Sequence, residues 1–140
     1  MMLDAGRVKR YREKMAFILE RIENLPVDGL SALERDGVYY RLATSIDASM
    51  DVIAMMVKDR GWSVGDDYDN IDKIEDLGIL PTDLCSSLRT CNGLRNVLIH
   101  KYNGVKHQVV FDSIVEVQEI MGQFIEHVEV FLDGHGQATI

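Results

Sequence analysis

Apolar residues recur through most of this chain in alternating steps of three and four, the spacing of helices that pack along one face. Val8, Tyr11, Met15, Ile18, Ile22 and Leu25 form the first such seam, with charged residues on the other faces and Pro26 and Gly29 closing it. Ser31 followed by Glu34 has the form of a capping box. It opens a second helix whose stripe runs from Val38 or Tyr39 through Leu42, Ile46, Met50, Ile53, Met56 and Val57 to Arg60, where Gly61 stops it. At about thirty residues this helix is long for a globular protein and predicts the main strut of a bundle. A short helix follows over Ile71 to Leu77. The next starts at Pro81-Thr82, with Thr82 as N-cap, and carries Leu84, Leu88, Cys91, Leu94 and Leu98 to about His100. Gly104 breaks it, and a last helix runs from about His107 to Leu132 on Ile114, Val117, Met121, Phe124, Val128 and Phe131. No stretch alternates with period two for long; Val109-Val110-Phe111 is too short to make a strand. The pattern predicts an all-α, up-and-down bundle of four main helices plus one short helix.

Composition agrees with one ordered domain. The chain has 140 residues, 46% hydrophobic and 27% charged, with only 2 Pro, enough apolar content to build a core. Residues 1–132 are expected to form a single helical domain, and 133–140, which lack periodicity, a disordered tail. A formal charge of −8 disfavours a broad nucleic-acid footprint, which rests on clustered cations. Any nucleic-acid chemistry must occupy a local cationic pocket on an acidic body. Apolar runs of at most six residues are far short of the roughly 20 that a spanning helix needs, and the opening Met1-Met2-Leu3-Asp4 lacks the apolar core of a signal peptide. The expected location is the cytoplasm, with no membrane contact.

Cys85 and Cys91 lie within one helix and offer no disulfide or zinc spacing, so they are expected to be small core residues. The carboxylates Asp66, Asp67, Asp69 and Asp72 invite a calcium reading. They lack the Gly and Glu positions of an EF-hand loop and are expected to form a solvated acidic loop. No phosphate-binding Gly-rich loop or HExxH occurs. Neither a metal nor a cofactor is expected.

One segment stands apart: Gly93-Leu94-Arg95-Asn96-Val97-Leu98-Ile99-His100-Lys101-Tyr102. At about 100° per residue, Asn96 and His100 share a helix face, and so do Arg95 and Tyr102, whereas Arg95 and His100 lie about 140° apart. Those two can serve one phosphate if the helix loosens near His100 or if their side chains converge on a groove. A second copy of the helix across a two-fold axis could form that groove. Arg95 also intrudes on the stripe of Leu88, Cys91 and Leu98, where a cation must be paired or solvated. Asp47 and Asp51, at i and i+4 on the long helix, are both candidate counter-charges. Spacing alone is equally met by a structural Arg–Asp pair with a capping His.

Arg95-Asn96-Val97-Leu98-Ile99-His100-Lys101-Tyr102 resembles the R-N-x-L-x-H-x-Y form of the Arg-x4-His motif in HEPN domains, in particular the HepT toxins of MntA/HepT toxin–antitoxin systems. The resemblance extends over about residues 36–120, including the run Ile71 to Leu80. It implies a dimeric HEPN bundle acting as a metal-independent endoribonuclease. Arg95 and His100 would be catalytic, and Tyr102 the acceptor of AMP from a cognate MntA-like nucleotidyltransferase antitoxin. The residue chemistry suits this: His transfers protons near neutrality, and Arg presents a fixed charged fork to phosphate oxygens. Asn96 can orient the imidazole or donate to phosphate. With one such His per chain, the second proton role falls to the partner subunit's His100 or to water. On an acidic body, RNA capture is expected to use Arg95, Lys101 and Lys106, with Arg89 a further candidate and His107 open as a second catalytic histidine or a surface or capping residue. The alternative is a HEPN binding subunit that partners a nucleotidyltransferase without cleaving RNA.

Overall fold

In a computed structural model, residues 2–135 are described, apart from the side chains of Tyr102 and His135. Five α-helices account for most of them: α1 (Ala5–Ile22), α2 (Ala32–Asp59), α3 (Asp67–Asp76), α4 (Thr82–His100) and α5 (His107–His135). A single 3₁₀ turn at Tyr102–Gly104 joins α4 to α5. No strand occurs among the described residues, so the all-α bundle read from the periodicity is the fold.

The local starts and stops explain most boundaries. Asp4 caps α1, its carboxylate accepting from the Arg7 amide at 2.7 Å, so the helix begins three residues before Val8. Ser31 and Glu34 form the expected capping box on α2, and Gly61 ends that helix at φ +84°, where a side chain would be strained. The acidic stretch is not a solvated loop. Asp66 accepts from the Asp69 amide while the Asp69 carboxylate faces the Asp66 amide, a second capping box that starts α3 four residues before Ile71. Gly65 precedes it tightly: a Cβ there would lie 2.9 Å from Asp69. At α4 the expected N-cap Thr82 is the first helical residue. Pro81 takes the cap position and offers no side-chain hydrogen bond. α5 continues through Asp133, Gly134 and His135, three residues into the expected tail; the expectation for 136–140 falls outside the described residues.

α2 is the central strut. It packs on α1, α3 and α4, while α5 closes the bundle against α1 and α4. The buried side chains form one cluster drawn from all five helices, with Tyr11, Ile18, Leu42, Ile53, Met56, Leu88 and Phe124 fully enclosed. Cys85 and Cys91 are part of it, and burial pushes their thiols up to about 11 and about 12 respectively, away from reactivity. Polar ties stitch the helices at their ends. Gln118 of α5 donates to the Ile22 carbonyl at the last turn of α1 (2.7 Å). At the other end of α1, the Asp59 carboxylate accepts from Arg7 Nε (2.9 Å) and from the fully buried Tyr11 hydroxyl (2.6 Å).

That last network locks the first helix to the end of the strut. Asp59→Ala, which strands the Tyr11 hydroxyl and the Arg7 guanidinium, is expected to destabilise the protein by about 2–3 kcal/mol in urea denaturation. A loss under roughly 0.5 kcal/mol, the level of an ordinary surface change, would show that the network is not structural.

Candidate active site

Arg95 sits in the inward stripe of α4, between the buried Cys91 and Leu98, and its side chain is 21% exposed. A guanidinium cannot remain bare there, and its long stem carries the charge toward the edge of the core. Nη2 forms an ion pair with Asp47 Oδ1 of α2 at 2.9 Å, and Nη1 lies 3.9 Å from Asp67 Oδ2 of α3. Nη1 also donates to the Asn96 side-chain oxygen at 3.0 Å, while Nε is buried without a hydrogen-bond partner.

Asp47 is therefore the counter-charge. Asp51, one turn further along α2, is instead engaged by Lys14 of α1 at 3.0 Å. α4 stays helical through His100, so Arg95 and His100 do not come to one face by loosening of the helix. Asn96, one turn before His100 on the helix, accepts from the Arg95 guanidinium, whose other contacts are Asp47 of α2 and Asp67 of α3. His100, the last residue of α4, is exposed.

Asp67 was not singled out by sequence reasoning beyond its place in an acidic run. Its carboxyl is raised above the ordinary 3.8, chiefly because burial strips its solvation. Arg95 and the Asn92 side chain act in the opposite direction, and Asp47 and Asp51 add to the rise as like charges. Asn92 is almost wholly buried, with its side-chain oxygen unpartnered. A weak signal was present: with Asp66 and Asp69 committed to capping, Asp67 is the carboxylate of the α3 start left free for another use.

The candidate RNA-binding cations divide. Lys101 and Lys106 are exposed on either side of the 3₁₀ turn. Arg89 is committed to Asp72 and Glu75 of α3, so it is not free to capture RNA. His107 begins α5, and its Nδ1 is 2.5 Å from the Tyr39 hydroxyl, a bond that ties the α4–α5 connection to α2. The Tyr102 side chain lies outside the described residues; its backbone opens the 3₁₀ turn two residues beyond His100. A groove of about 430 Å³ runs beside this end of α4, lined by Tyr39, Tyr40, Ala43, Asp47, Leu98 and Ile99 among others. Among the described residues no cluster of three or more His, Cys, Asp or Glu is placed to hold a metal ion, and no helix is long and apolar enough to cross a membrane.

With this geometry in hand, the family is defined. The profile described as "Ribonuclease HepT-like" matches residues 9–128, and the chain belongs to that family. It is similar to a protein of Archaeoglobus fulgidus named "Putative RNase", with 42% identity over 127 residues, 91% of this chain and 96% of the relative. Among solved structures, the cytosolic protein YutE of Bacillus subtilis, of unknown function, superposes with a TM-score of 0.81 at 14% identity, covering 94% of this chain and 95% of that one. The tri-AMPylated HEPN toxin of Shewanella oneidensis, solved with its MNT antitoxin, gives 0.71 at 16% identity, covering 89% and 95%. These two share the all-α fold with this chain.

The raised Asp67 carboxyl gives a signed prediction. A folded-state value above the unfolded one means that stability falls as pH rises from 3.8 through the raised value. Asp67→Asn removes that penalty, so its Tm at pH 7 is expected to exceed the wild type's by about 1–3 °C, discounted for partial exposure. At about pH 3, where the wild-type carboxyl is protonated in both states, the difference disappears. An Asn variant less stable than wild type at pH 7 would contradict the sign.

Proposed function

We propose that this protein is a HepT-like toxin that cleaves RNA without a divalent ion, using Arg95 and His100. The observation that carries the reading is the hydrogen bond from Arg95 Nη1 to Asn96. It ties the cation to a residue one turn before the exposed His100, within the region matched by the family. The name of the Archaeoglobus relative supports the same activity.

The chemistry needs only side chains. The imidazole of His100 takes the proton of a ribose 2′-hydroxyl, whose oxygen attacks the adjacent phosphorus. The bond to the 5′-oxygen breaks, leaving a 2′,3′-cyclic phosphate and a 5′-hydroxyl. Arg95 neutralises the charge that builds on the non-bridging oxygens. The proton for the departing oxygen comes from the partner subunit's His100 or from water, so the working unit is a homodimer with the two motifs facing a shared cleft. Lys101 and Lys106 hold flanking phosphates as point charges. The cytoplasm is the compartment where such an enzyme meets its RNA.

Regulation follows from the position of Tyr102, two residues beyond His100. A MntA-like nucleotidyltransferase antitoxin transfers AMP from ATP to its hydroxyl, releasing pyrophosphate and adding bulk and negative charge beside the motif, which repels RNA. The likeness in fold to a tri-AMPylated toxin held by its antitoxin supports this. The second reading, a binding subunit that partners a nucleotidyltransferase without cleaving, is favoured by the present engagement of Arg95 with two carboxylates.

Purified protein in EDTA is expected to cut single-stranded RNA, with His100→Ala and Arg95→Ala each lowering the rate at least about 100-fold. Equal cleavage by wild type and His100→Ala would remove the mechanism, and no cleavage by either would favour the binding subunit. Incubation with the cognate nucleotidyltransferase and ATP is expected to add AMP mass that Tyr102→Phe abolishes. Mass retained on that variant would place the acceptor elsewhere.

A further inference from the structure

The surroundings of Arg95 carry more negative charge than its own pairing needs. Asp47 alone, at 2.9 Å, balances the guanidinium, yet Asp67 faces the same group from α3 at 3.9 Å, beyond hydrogen-bond reach. Asp51, which also bears on Asp67, has a cation of its own in Lys14. Asp67 is not required for its helix either, because Asp66 and Asp69 make the capping box at the start of α3. It is thus a third-helix carboxylate, 37% exposed, whose partners are the buried Asn92 side chain and, across a longer gap, Arg95. A guanidinium enclosed by Asp47, Asp67 and Asn96, with Nε buried, has few donors left for an incoming anion.

From this arrangement we propose that Asp67 is a positioning residue that holds Arg95 within the chain and must yield before Arg95 can take an RNA phosphate. The inference rests on the reading of Arg95 as the phosphate-binding group. Of the two carboxylates, Asp67 is the one that gives way. Its contact is long, it sits at the first turn of a short helix, and its charged form is disfavoured by burial and by Asp47 and Asp51. An arriving phosphate replaces it, and the Asp47 contact keeps the guanidinium oriented. The charged groups facing Asp67 are Arg95 from α4 and Asp47 and Asp51 from α2, with the Asn92 amide beside them. Acidification neutralises Asp67 and so loosens its hold.

The test uses binding, which is separable from cleavage. A short 2′-O-methyl oligoribonucleotide of mixed sequence cannot form the cyclic phosphate. In a His100→Ala background, which removes that imidazole's titration, Asp67→Asn is expected to bind the probe about 3- to 10-fold more tightly at neutral pH. Asp67→Glu restores the weaker affinity. As pH falls, the parent with Asp67 approaches the Asn variant, whose own affinity changes less. Binding unchanged or weakened by Asp67→Asn, in a variant that melts no lower than its parent, overturns the proposal. Should Arg95→Ala leave oligonucleotide binding unchanged, the RNA reading fails on its own account. The side-chain NMR signal of Arg95 then decides. Slower rotation of the guanidinium in wild type than in Asp67→Asn upholds the hold by Asp67, and equal rotation overturns it.

Discussion

The placing of one guanidinium in an apolar stripe constrains the rest of this end of the bundle. Arg95 replaces what would be a core residue of α4, and a bare charge there would cost several kcal/mol. The bundle answers by bringing a carboxylate from the middle of α2 to within 2.9 Å and a second from the start of α3. Three helices thus meet around a cation and not around another leucine. As stabilisation, such a partly exposed pair is worth little more than an apolar replacement. Its value lies in fixing a charge at a chosen place and orientation.

The helix itself sets the two ends of the motif apart. On a regular helix, residues five apart point about 140° away from each other, and α4 is regular to its end. Asn96, one turn before His100, accepts from Arg95 Nη1, so the guanidinium is held within its own helix as well as by α2. Around it, the 3₁₀ turn places Lys101 and Lys106 on either side of Tyr102, and the Tyr39–His107 bond fixes where that turn rejoins the bundle. Near the end of α4 the cations are few, Arg95, Lys101 and Lys106, and Arg89, further back on the same helix, is neutralised by α3.

What the sequence discloses follows from the range of the interaction. The α2 capping box and the glycine stop at Gly61 are contacts within a few residues, and they were legible. The start of α3 was equally local but was missed, because its box uses Asp66 and Asp69 where the usual pattern has Ser or Thr with Glu, so a helix start resembled an acidic loop. At Pro81-Thr82 both residues signal a helix start, and composition cannot say which is the cap. The choice between Asp47 and Asp51 could not be made from their spacing, since both project from the same face. The packing of α1 decides it by giving Lys14 to Asp51. Asp67 stayed invisible for the same reason: which helix α3 faces is a tertiary fact without periodicity of its own. The ion pair of Arg95 with an α2 carboxylate was legible, because a cation in an apolar stripe requires one.

The most direct examination of the central claim is a crystal structure of the protein with a dinucleotide whose attacking 2′-hydroxyl is methylated. The account predicts a phosphate oxygen within hydrogen-bond distance of the Arg95 guanidinium, and a His100 imidazole, from the same or the partner subunit, beside the 2′- or 5′-oxygen. A dinucleotide bound elsewhere, with Arg95 still closed on Asp47 and Asp67 and His100 facing open solvent, would contradict it.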